Sequence, residues 1–461
     1  MRYPRLVIAG TASGVGKTTA TLAILAALKA RGRRVQPFKV GPDFIDPGHH
    51  TAATGFASRN LDGWMLPVAV NRKTFVQAAR GAELSIIEGM MGLFDGSGSL
   101  GEAGSTAQMA KHLRAPVLLV IDGSGMARSA AAMALGYARF DPNVRVAGVL
   151  FNRVGSDGHY RLLKEAVEAE TELAVVGYLR PDPALTIGDR HLGLVTAIEH
   201  GGSDLYERLG RLAAETVDLD RIEALAGTAE DLDEARSHPH VAHAVRVGSP
   251  VRRIRIAVAY DPAFCFYYAD NLDLFEAEGS ELIRFSPLND QTLPDVDLLY
   301  LGGGYPELYG ERLSGNAPMR RAVRGFAEGG GTIYAECGGM MYLTRAIRDF
   351  EGRSHEMVGL FPAEAVMKRP GLTLGYRELC LTRPCMLGDA GVTARGHEFH
   401  YSALVPAGPL EYACTLTDAK GVTRGQDGLI AGNTLALYTH LHFASRPALV
   451  QALIAGARRN A

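Results

Sequence analysis

The chain has 461 residues, too many for one ordinary hydrophobic core, and this length predicts two domains of about 200 residues each. Hydrophobic residues make up 47% and charged residues 21%, as in folded globular proteins and unlike disordered or coiled-coil chains. A formal net charge of -2 gives no sign of a nucleic acid or an acidic membrane surface as partner.

Cysteine usage and apolar segments indicate the compartment. The 5 cysteines include no Cys-x-x-Cys pair, which predicts reduced thiols and no zinc framework. No apolar run reaches the roughly 18 residues that a membrane span needs. The first residues lead directly into an apolar strand and leave no room for a signal peptide. We therefore expect a soluble, cytoplasmic protein.

In the first half, short apolar runs alternate with helical stretches, and this pattern predicts a parallel sheet covered by helices. Each predicted strand is rich in Val, Ile and Leu on both faces, as a fully buried strand requires. The strands are Leu6–Ala9, Val35–Val40, Leu84–Glu88, Val117–Asp122 and Val146–Asn152, and the clearest helices are Thr18–Arg31 and Met126–Arg139.

A polar segment separates this half from a second alternating pattern. We predict a first domain over residues 1–220, a linker over 221–252 and a second domain over 253–461. The strands predicted in the second domain are Ile254–Ala259, Glu281–Phe285, Leu298–Leu301, Thr332–Ala335 and Leu435–Tyr438. The fold class is therefore α/β with two different domains, and no internal repeat is visible.

A glycine-rich turn follows the first strand and precedes the first helix. Residues 10–19 read Gly-Thr-Ala-Ser-Gly-Val-Gly-Lys-Thr-Thr, close to a phosphate-binding loop except that its first glycine stands one place early. Backbone N–H groups of such a turn approach phosphate oxygens, and the helix dipole favours the anion. The predicted ATP-binding residues are Ser13, Gly14, Val15, Gly16, Lys17, Thr18 and Thr19.

Acidic residues follow neighbouring strands, where ligands bind in parallel sheets. We predict Mg²⁺ ligands at Thr18, Asp43 and Glu88. Asp46 either binds the acceptor substrate or caps a helix, and we interpret Asp95 as a turn residue before Gly96. Separately, the side chain of Asn152 either contacts an adenine edge or caps a turn.

A cysteine occupies a strand-to-helix turn in the second domain. Residues 334–341 read Tyr-Ala-Glu-Cys-Gly-Gly-Met-Met, and we expect this turn to expose the sulfur of Cys337 and lower its pKa through the helix N-terminus. Histidines after a late strand, at 440 and 442, supply a base. We predict oxyanion donors among the backbone amides of Gly303, Gly304 and Gly338.

Two histidine-containing segments allow more than one interpretation. Residues 396–402 read Gly-His-Glu-Phe-His-Tyr-Ser, and this segment either binds substrate or is a strand with structurally satisfied histidines. The histidines within residues 238–243 lack regular ligand spacing and predict a solvated linker.

These residues carry a resemblance to known families. The second half resembles class I glutamine amidotransferases of the cobyric-acid-synthase type, with a flavodoxin-like fold. The resemblance implies that Cys337 is the nucleophile and His440 the base. His442 stands where most class I enzymes carry a glutamate, and the corrin subgroup is similar in lacking it. What orients His440 is therefore left open.

The first half resembles dethiobiotin-synthetase-like P-loop proteins, which activate carboxylates by phosphorylation. With the motifs at residues 39–47, 87–96 and 189–194 and the cysteine turn, the chain apart from its linker resembles the cobyrinic or hydrogenobyrinic acid a,c-diamide synthase family. Within that family the resemblance favours the members that amidate hydrogenobyrinic acid. The family implies Mg²⁺ and ATP, glutamine as nitrogen donor, and a tetrapyrrole polyacid as substrate. We expect Asp46, Arg190 and His191 to bind that substrate, and a homodimer is one possible assembly.

Two other functions fit parts of the pattern. One is amidation of a related acid, such as nickel-sirohydrochlorin, because the shape of the pocket decides specificity. The other is a P-loop regulatory ATPase with a non-catalytic amidotransferase-like domain. The intact cysteine turn and His440 argue against the second.

Overall fold

The computed structural model describes residues 3–183, 188, 195–200, 202, 204–232 and 252–460. The chain forms two compact units, residues 1–246 and 247–461. The first unit contains a parallel sheet with helices packed on both faces, and the second contains a mixed sheet whose parallel strands have a hydrophobic core on each face, so the predicted two-domain α/β class is confirmed. Helix Leu219–Gly227 extends the first unit beyond residue 220, and the predicted domain boundaries stay a prediction.

The first unit is built on a parallel sheet. Its described elements, in chain order, are β1 (Arg5–Gly10), α1 (Lys17–Ala30), β2 (Val35–Val40), α2 (Ile45–Thr54), β3 (Arg59–Leu61), α3 (Val68–Ala79), β4 (Leu84–Gly92), α4 (Thr106–His112), β5 (Val117–Asp122), α5 (Ser129–Phe140), β6 (Val146–Asn152), α6 (Asp157–Glu170), β7 (Ala174–Tyr178), α7 (Ala197–His200), α8 (Asp204–Thr216) and α9 (Leu219–Gly227).

Among the described residues this sheet has the order β3-β2-β4-β1-β5-β6-β7, and every neighbouring pair is parallel. Alternate residues of β1 enter different cores: Val7 and Ala9 pack with α3, α4 and α5, whereas Leu6 and Ile8 pack with α1 and α8. Because both faces are covered, the strands read as continuous apolar runs. The carboxyl ends of β1, β2, β4 and β6 therefore share one edge of the sheet.

The second unit contains a larger, mixed sheet. Its described elements are β8 (Arg255–Ala259), α10 (Ala269–Ala277), β9 (Glu281–Phe285), β10 (Leu298–Leu301), α11 (Gly310–Gly315), α12 (Ala317–Glu328), β11 (Thr332–Glu336), α13 (Gly338–Leu343), β12 (Thr344–Arg348), β13 (Ser354–Glu356), β14 (Phe361–Met367), β15 (Thr373–Leu381), β16 (Thr393–His400), β17 (Ser402–Pro406), β18 (Tyr412–Asp418), β19 (Thr423–Ala431), β20 (Thr434–Leu437), β21 (His440–Leu441) and α14 (Ala448–Asn460).

In the described part of this unit the large sheet has the order β21-β16-β15-β18-β19-β20-β11-β10-β8-β9. The strands from β20 to β9 are parallel, and the remaining pairs are antiparallel. A smaller sheet has the order β13-β12-β14-β17. Parallel pairing of β10, β11 and β20 brings the ends of these three strands together, although they are distant in sequence.

Candidate active sites

The glycine-rich loop joins β1 to α1, as the sequence predicts. Gly14 and Gly16 have positive φ angles of 78° and 93°, a backbone conformation that favours glycine. Gly16 is the residue before the first turn of α1. The residues predicted to bind ATP therefore form this loop and the start of the helix, where free backbone N–H groups suit an anion.

Steric contacts explain why the loop has glycine at position 10. A Cβ atom added at Gly10 would lie 2.7 Å from Cγ2 of Val15 and 2.9 Å from Cγ of Lys17. A larger residue would displace the lysine stem, so glycine is required at position 10. The Lys17 ammonium donates to the carbonyl of Ala12 at 3.0 Å. Burial and the nearby charge of Lys39 lower the pKa of Lys17.

Asn152 contacts the same loop. Its side-chain amide donates to the carbonyl of Val15 at 2.9 Å, and a Cβ atom at Gly16 would overlap that amide. In this structure Asn152 therefore holds the loop in shape, and the predicted contact with adenine stays a prediction.

The predicted acidic residues gather beside Thr18. The Thr18 hydroxyl donates to Glu88 Oε1 at 2.7 Å and lies 3.4 Å from Asp46 Oδ2. Asp43 Oδ1 accepts from the backbone amide of Ile45, the first residue of α2, at 2.8 Å. Asp95 accepts from the backbone amide of Gly92 at 2.9 Å, which is the contact of a turn residue.

Sequence reasoning missed a lysine at the centre of these acids. The buried ammonium of Lys39 contacts Asp46, lies 2.8 Å from Glu88 Oε1 and 3.8 Å from Asp43 Oδ2. Burial would lower the pKa of Lys39, but the three acids outweigh burial and raise it. Removing one partner of such a buried ion pair costs about 3–5 kcal/mol. The signal was present, because Lys39 precedes Asp43 in the motif already singled out.

Glu88 has a second basic partner that was also missed. His50 Nε2 lies 2.7 Å from Glu88 Oε2, and both side chains are fully buried. Burial would raise the pKa of Glu88, but Lys39 and His50 outweigh burial and hold the pKa well below its usual range. Glu88 is therefore an ionised carboxylate at neutral pH.

The donor atoms at this edge suit a magnesium ion. Within the described ranges, no group of three or more His, Cys, Asp or Glu side chains is arranged to hold a metal by itself. Mg²⁺ does not need such a group, because it keeps several water ligands and uses one or two carboxylates together with phosphate oxygens. The hydroxyl of Thr18 and the carboxylate of Glu88 are oxygen donors of that kind.

Cys337 forms the turn between β11 and α13. Its φ and ψ angles are 45° and -104°, an uncommon conformation for a residue with a side chain. Its backbone amide donates to the carbonyl of Leu437 in the next parallel strand at 2.7 Å. The turn thus ties the cysteine to the strand that leads to His440.

The expectation of an exposed, acidic thiol is wrong. Cys337 is only 4% exposed. Burial raises the pKa of the Cys337 thiol, Glu307 raises it further, and the Gly338 amide lowers it. The thiol is therefore neutral at physiological pH and needs a base to become a nucleophile.

His440 is in the protonation state that a base requires. It is 1% exposed, and burial lowers its pKa to about 3, with His400 as a further cause and Glu398 acting in the opposite direction. A neutral imidazole can accept a proton. The ring of His397, on the neighbouring strand β16, stacks against that of His440 with centroids 5.1 Å apart.

The predicted oxyanion glycines lie against the cysteine turn and His440. A Cβ atom at Gly303 would overlap Cε1 of His440. A Cβ atom at Gly338 would lie 3.1 Å from the backbone nitrogen of Gly304. The structure therefore brings these three glycines, Cys337 and His440 into one site.

The other histidines singled out in the sequence lie partly in strand β16, partly beside Tyr268 and partly outside the described residues. The segment 396–402 includes the end of β16, and His397 pairs in register with His440. His442 is fully buried and its ring packs against Tyr268, with centroids 4.5 Å apart. Arg190, His191 and the histidines within residues 238–243 lie outside the described residues.

Comparisons with known proteins match both halves of the chain. Residues 6–194 match the model of the CobQ/CobB/MinD/ParA nucleotide binding domain, and residues 255–448 match that of the CobB/CobQ-like glutamine amidotransferase domain. The chain is thus a two-domain enzyme in which a nucleotide-binding domain is joined to a glutamine amidotransferase domain.

Curated relatives that match nearly the whole chain identify its family. The chain is 43% identical to the cobyrinate a,c-diamide synthase of Salmonella typhimurium, covering 99% of each chain. It is 43% identical to that of Priestia megaterium, covering 98% of this chain and 96% of the relative. It is 41% identical to that of Methanosarcina acetivorans, covering 98% and 95%. The chain belongs to the cobyrinate a,c-diamide synthase family and is a glutamine-hydrolysing amide ligase.

In the part of the chain that the structure describes, no helix is long and apolar enough to span a membrane.

Proposed function

We propose that the chain converts the a and c side-chain carboxylates of cobyrinic or hydrogenobyrinic acid to amides, with ATP and glutamine. The observation that carries this proposal is the nearly full-length similarity to cobyrinate a,c-diamide synthases. In the same chain, Thr18 contacts Glu88 beside the glycine-rich loop, and Gly303 packs on His440 beside the cysteine turn. The name of these relatives favours the cobalt-containing acid over the metal-free one.

In the glutamine half, the thiol of Cys337 gives its proton to the neutral imidazole of His440 and attacks the side-chain amide of glutamine. The amides of Gly303, Gly304 and Gly338 face the resulting oxyanion. His440 returns the proton to the leaving nitrogen, which departs as ammonia. Water then hydrolyses the thioester and releases glutamate. Burial of the thiol makes this proton transfer obligatory, since the thiol does not ionise by itself.

In the ATP half, an oxygen of the substrate carboxylate attacks the γ-phosphorus of ATP, and ADP leaves. Ammonia then attacks the acyl carbon, and inorganic phosphate leaves with the oxygen. The ammonium of Lys17 and the loop amides offset the charge on the transferred group. Thr18, Asp43 and Glu88 would hold Mg²⁺, which supplies Lewis-acid neutralisation of phosphate charge when bound. Asp46 and the segment containing Arg190 and His191 are proposed to bind the polyacid.

A substrate panel tests the acceptor. We expect cobyrinic acid, hydrogenobyrinic acid or both to gain two amides per molecule with glutamine and ATP, and sirohydrochlorin and its nickel form to gain none. Mass spectrometry of the products measures the change. Amidation of nickel-sirohydrochlorin alone would contradict the assigned substrate but keep the ligase chemistry.

The packing of Gly303 on His440 gives a prediction for the glutamine site. We expect Gly303→Ala to lower glutamine hydrolysis by about 10- to 100-fold, because the added methyl overlaps the imidazole and displaces the base. Amidation with added ammonia should stay at the wild-type rate. Both rates are measured on the same preparation.

Gly325→Ala is the matched control, because Gly325 lies in α12 and a Cβ there meets no atom within 4 Å. It should leave both rates unchanged. Wild-type glutamine hydrolysis in Gly303→Ala would show that His440 does not need its present position.

A further inference from the structure

Glu336 immediately precedes the nucleophile and is the last residue of β11. Its side chain is 2% exposed. On a strand, residues 334 and 336 point to the same face, and Tyr334 donates to Glu336 Oε1 at 2.7 Å. Tyr300, in register with Tyr334 on β10, donates to Glu336 Oε2 at 3.1 Å. Two tyrosines therefore fix the carboxylate.

The same carboxylate reaches the segment that carries the base. Oε1 of Glu336 also accepts the backbone amide of Leu441 at 3.0 Å, and Leu441 directly follows His440. Oε2 lies 4.0 Å from Nδ1 of His440, which is too far for a hydrogen bond but close enough for an ion pair once the imidazole gains a proton. One side chain thus contacts the backbone beside the base and faces the base itself.

Other residues near His440 are less suited to this task. Position 442, where class I enzymes usually have a glutamate, is a histidine, and burial lowers its pKa to about 3. It is therefore neutral and cannot stabilise a cationic imidazolium. Glu398 also acts electrostatically on His440, but its carboxylate is already paired with Arg377.

We propose that Glu336 is the positioning residue of His440, supplying from the position before the nucleophile what a glutamate after the base supplies in related enzymes. It holds the β21 backbone through Leu441 and opposes the charge that His440 gains when Cys337 loses its proton. The pKa of Glu336 is raised to about 7, because burial outweighs the opposing effect of the hydrogen bonds from Tyr334, Leu441 and Tyr300. This role rests on the proposed glutamine hydrolysis.

Glu336→Gln tests the role, because glutamine keeps the shape and one acceptor oxygen but carries no charge. We expect kcat for glutamine hydrolysis to fall about 10- to 100-fold, with KM for glutamine changing less than about threefold. Amidation with ammonia should not change. A purely structural role would instead lower the unfolding temperature and leave kcat per folded molecule at the wild-type value.

A double variant separates action through the base from an independent effect. In a His440→Ala background, Glu336→Gln should cause no further loss of the residual hydrolysis, since a positioning residue has nothing left to position. An additive loss would overturn the proposal. Glu378→Gln, which removes a carboxylate from an exposed ion pair with Arg395, is the matched control and should match the wild type.

If Glu336→Gln does not fold, Glu336→Asp keeps the charge but shortens the side chain by one methylene. Its kcat should be at least about threefold below the wild type, and a wild-type kcat would overturn the proposal. A wild-type enzyme without glutamine hydrolysis would overturn the proposed function and the role of Glu336 together. An active wild type that Glu336→Gln equals would overturn the role alone.

Discussion

Cys337→Ser is expected to abolish glutamine-dependent amidation, by on the order of 10³-fold or more, and to leave ammonia-dependent amidation within about twofold of the wild type. The serine hydroxyl is far less acidic and less nucleophilic than the thiol, so it does not replace sulfur in a site built around Cys337. The residues of the phosphate loop are in the other unit and are unchanged. Product formation with each nitrogen source, measured at saturating ATP, checks both halves of the expectation.

Cys380→Ser is the matched control, because this half-buried thiol on β15 lacks a glycine-flanked turn. It should retain both activities. Glutamine-dependent amidation by Cys337→Ser would contradict the assignment of the nucleophile. Loss of the ammonia-dependent reaction as well would contradict two separate sites.

Lys17→Ala is expected to lower amidation by about 10³-fold with either nitrogen source, because the loop loses the cation that faces the phosphoryl group. Glutamine hydrolysis should remain measurable. The experiment compares amide formation, ADP release and glutamate release in one assay. Lys29→Ala, at the exposed end of the same helix, should match the wild type. A Lys17→Ala enzyme that amidates with ammonia at the normal rate would contradict the phosphate-loop role.

The longer parallel strands of the first unit could be predicted because they are buried on both faces. β2, β5 and β6 have the bounds that the sequence predicts, and β1 and β4 extend them by a few residues. The predicted helix Met126–Arg139 begins later, as α5 at Ser129. Two short strands, β3 and β7, were missed. β3 has only 3 residues, too few to form a pattern, and in β7 Gly177 interrupts the apolar run.

The antiparallel part of the second unit could not be predicted in the same way. β15 alternates exposed and buried residues irregularly, and its polar positions resemble a loop in the sequence. Such strands are stabilised by partners far along the chain, as in the pairing of β15 with β18. Local composition does not contain that information.

The candidate sites divide along the same line. The glycine-rich loop and the cysteine turn are short, contiguous motifs, and the sequence identifies them. The contacts of Lys39 with Glu88 and of Glu336 with Leu441 join segments far apart in the chain, so the motifs alone do not show that these residues meet. The pKa of Cys337 was predicted in the wrong direction because burial depends on residues that no local motif includes.

The pairing of β11 with β20 has a consequence for synthesis of the chain. β11 and Cys337 leave the ribosome long before the segment that carries His440, since domains are made from the N-terminus onward. A nascent chain therefore carries the proposed nucleophile before the proposed base and the strand β20 that pairs with β11. We expect such a partial chain not to hydrolyse glutamine.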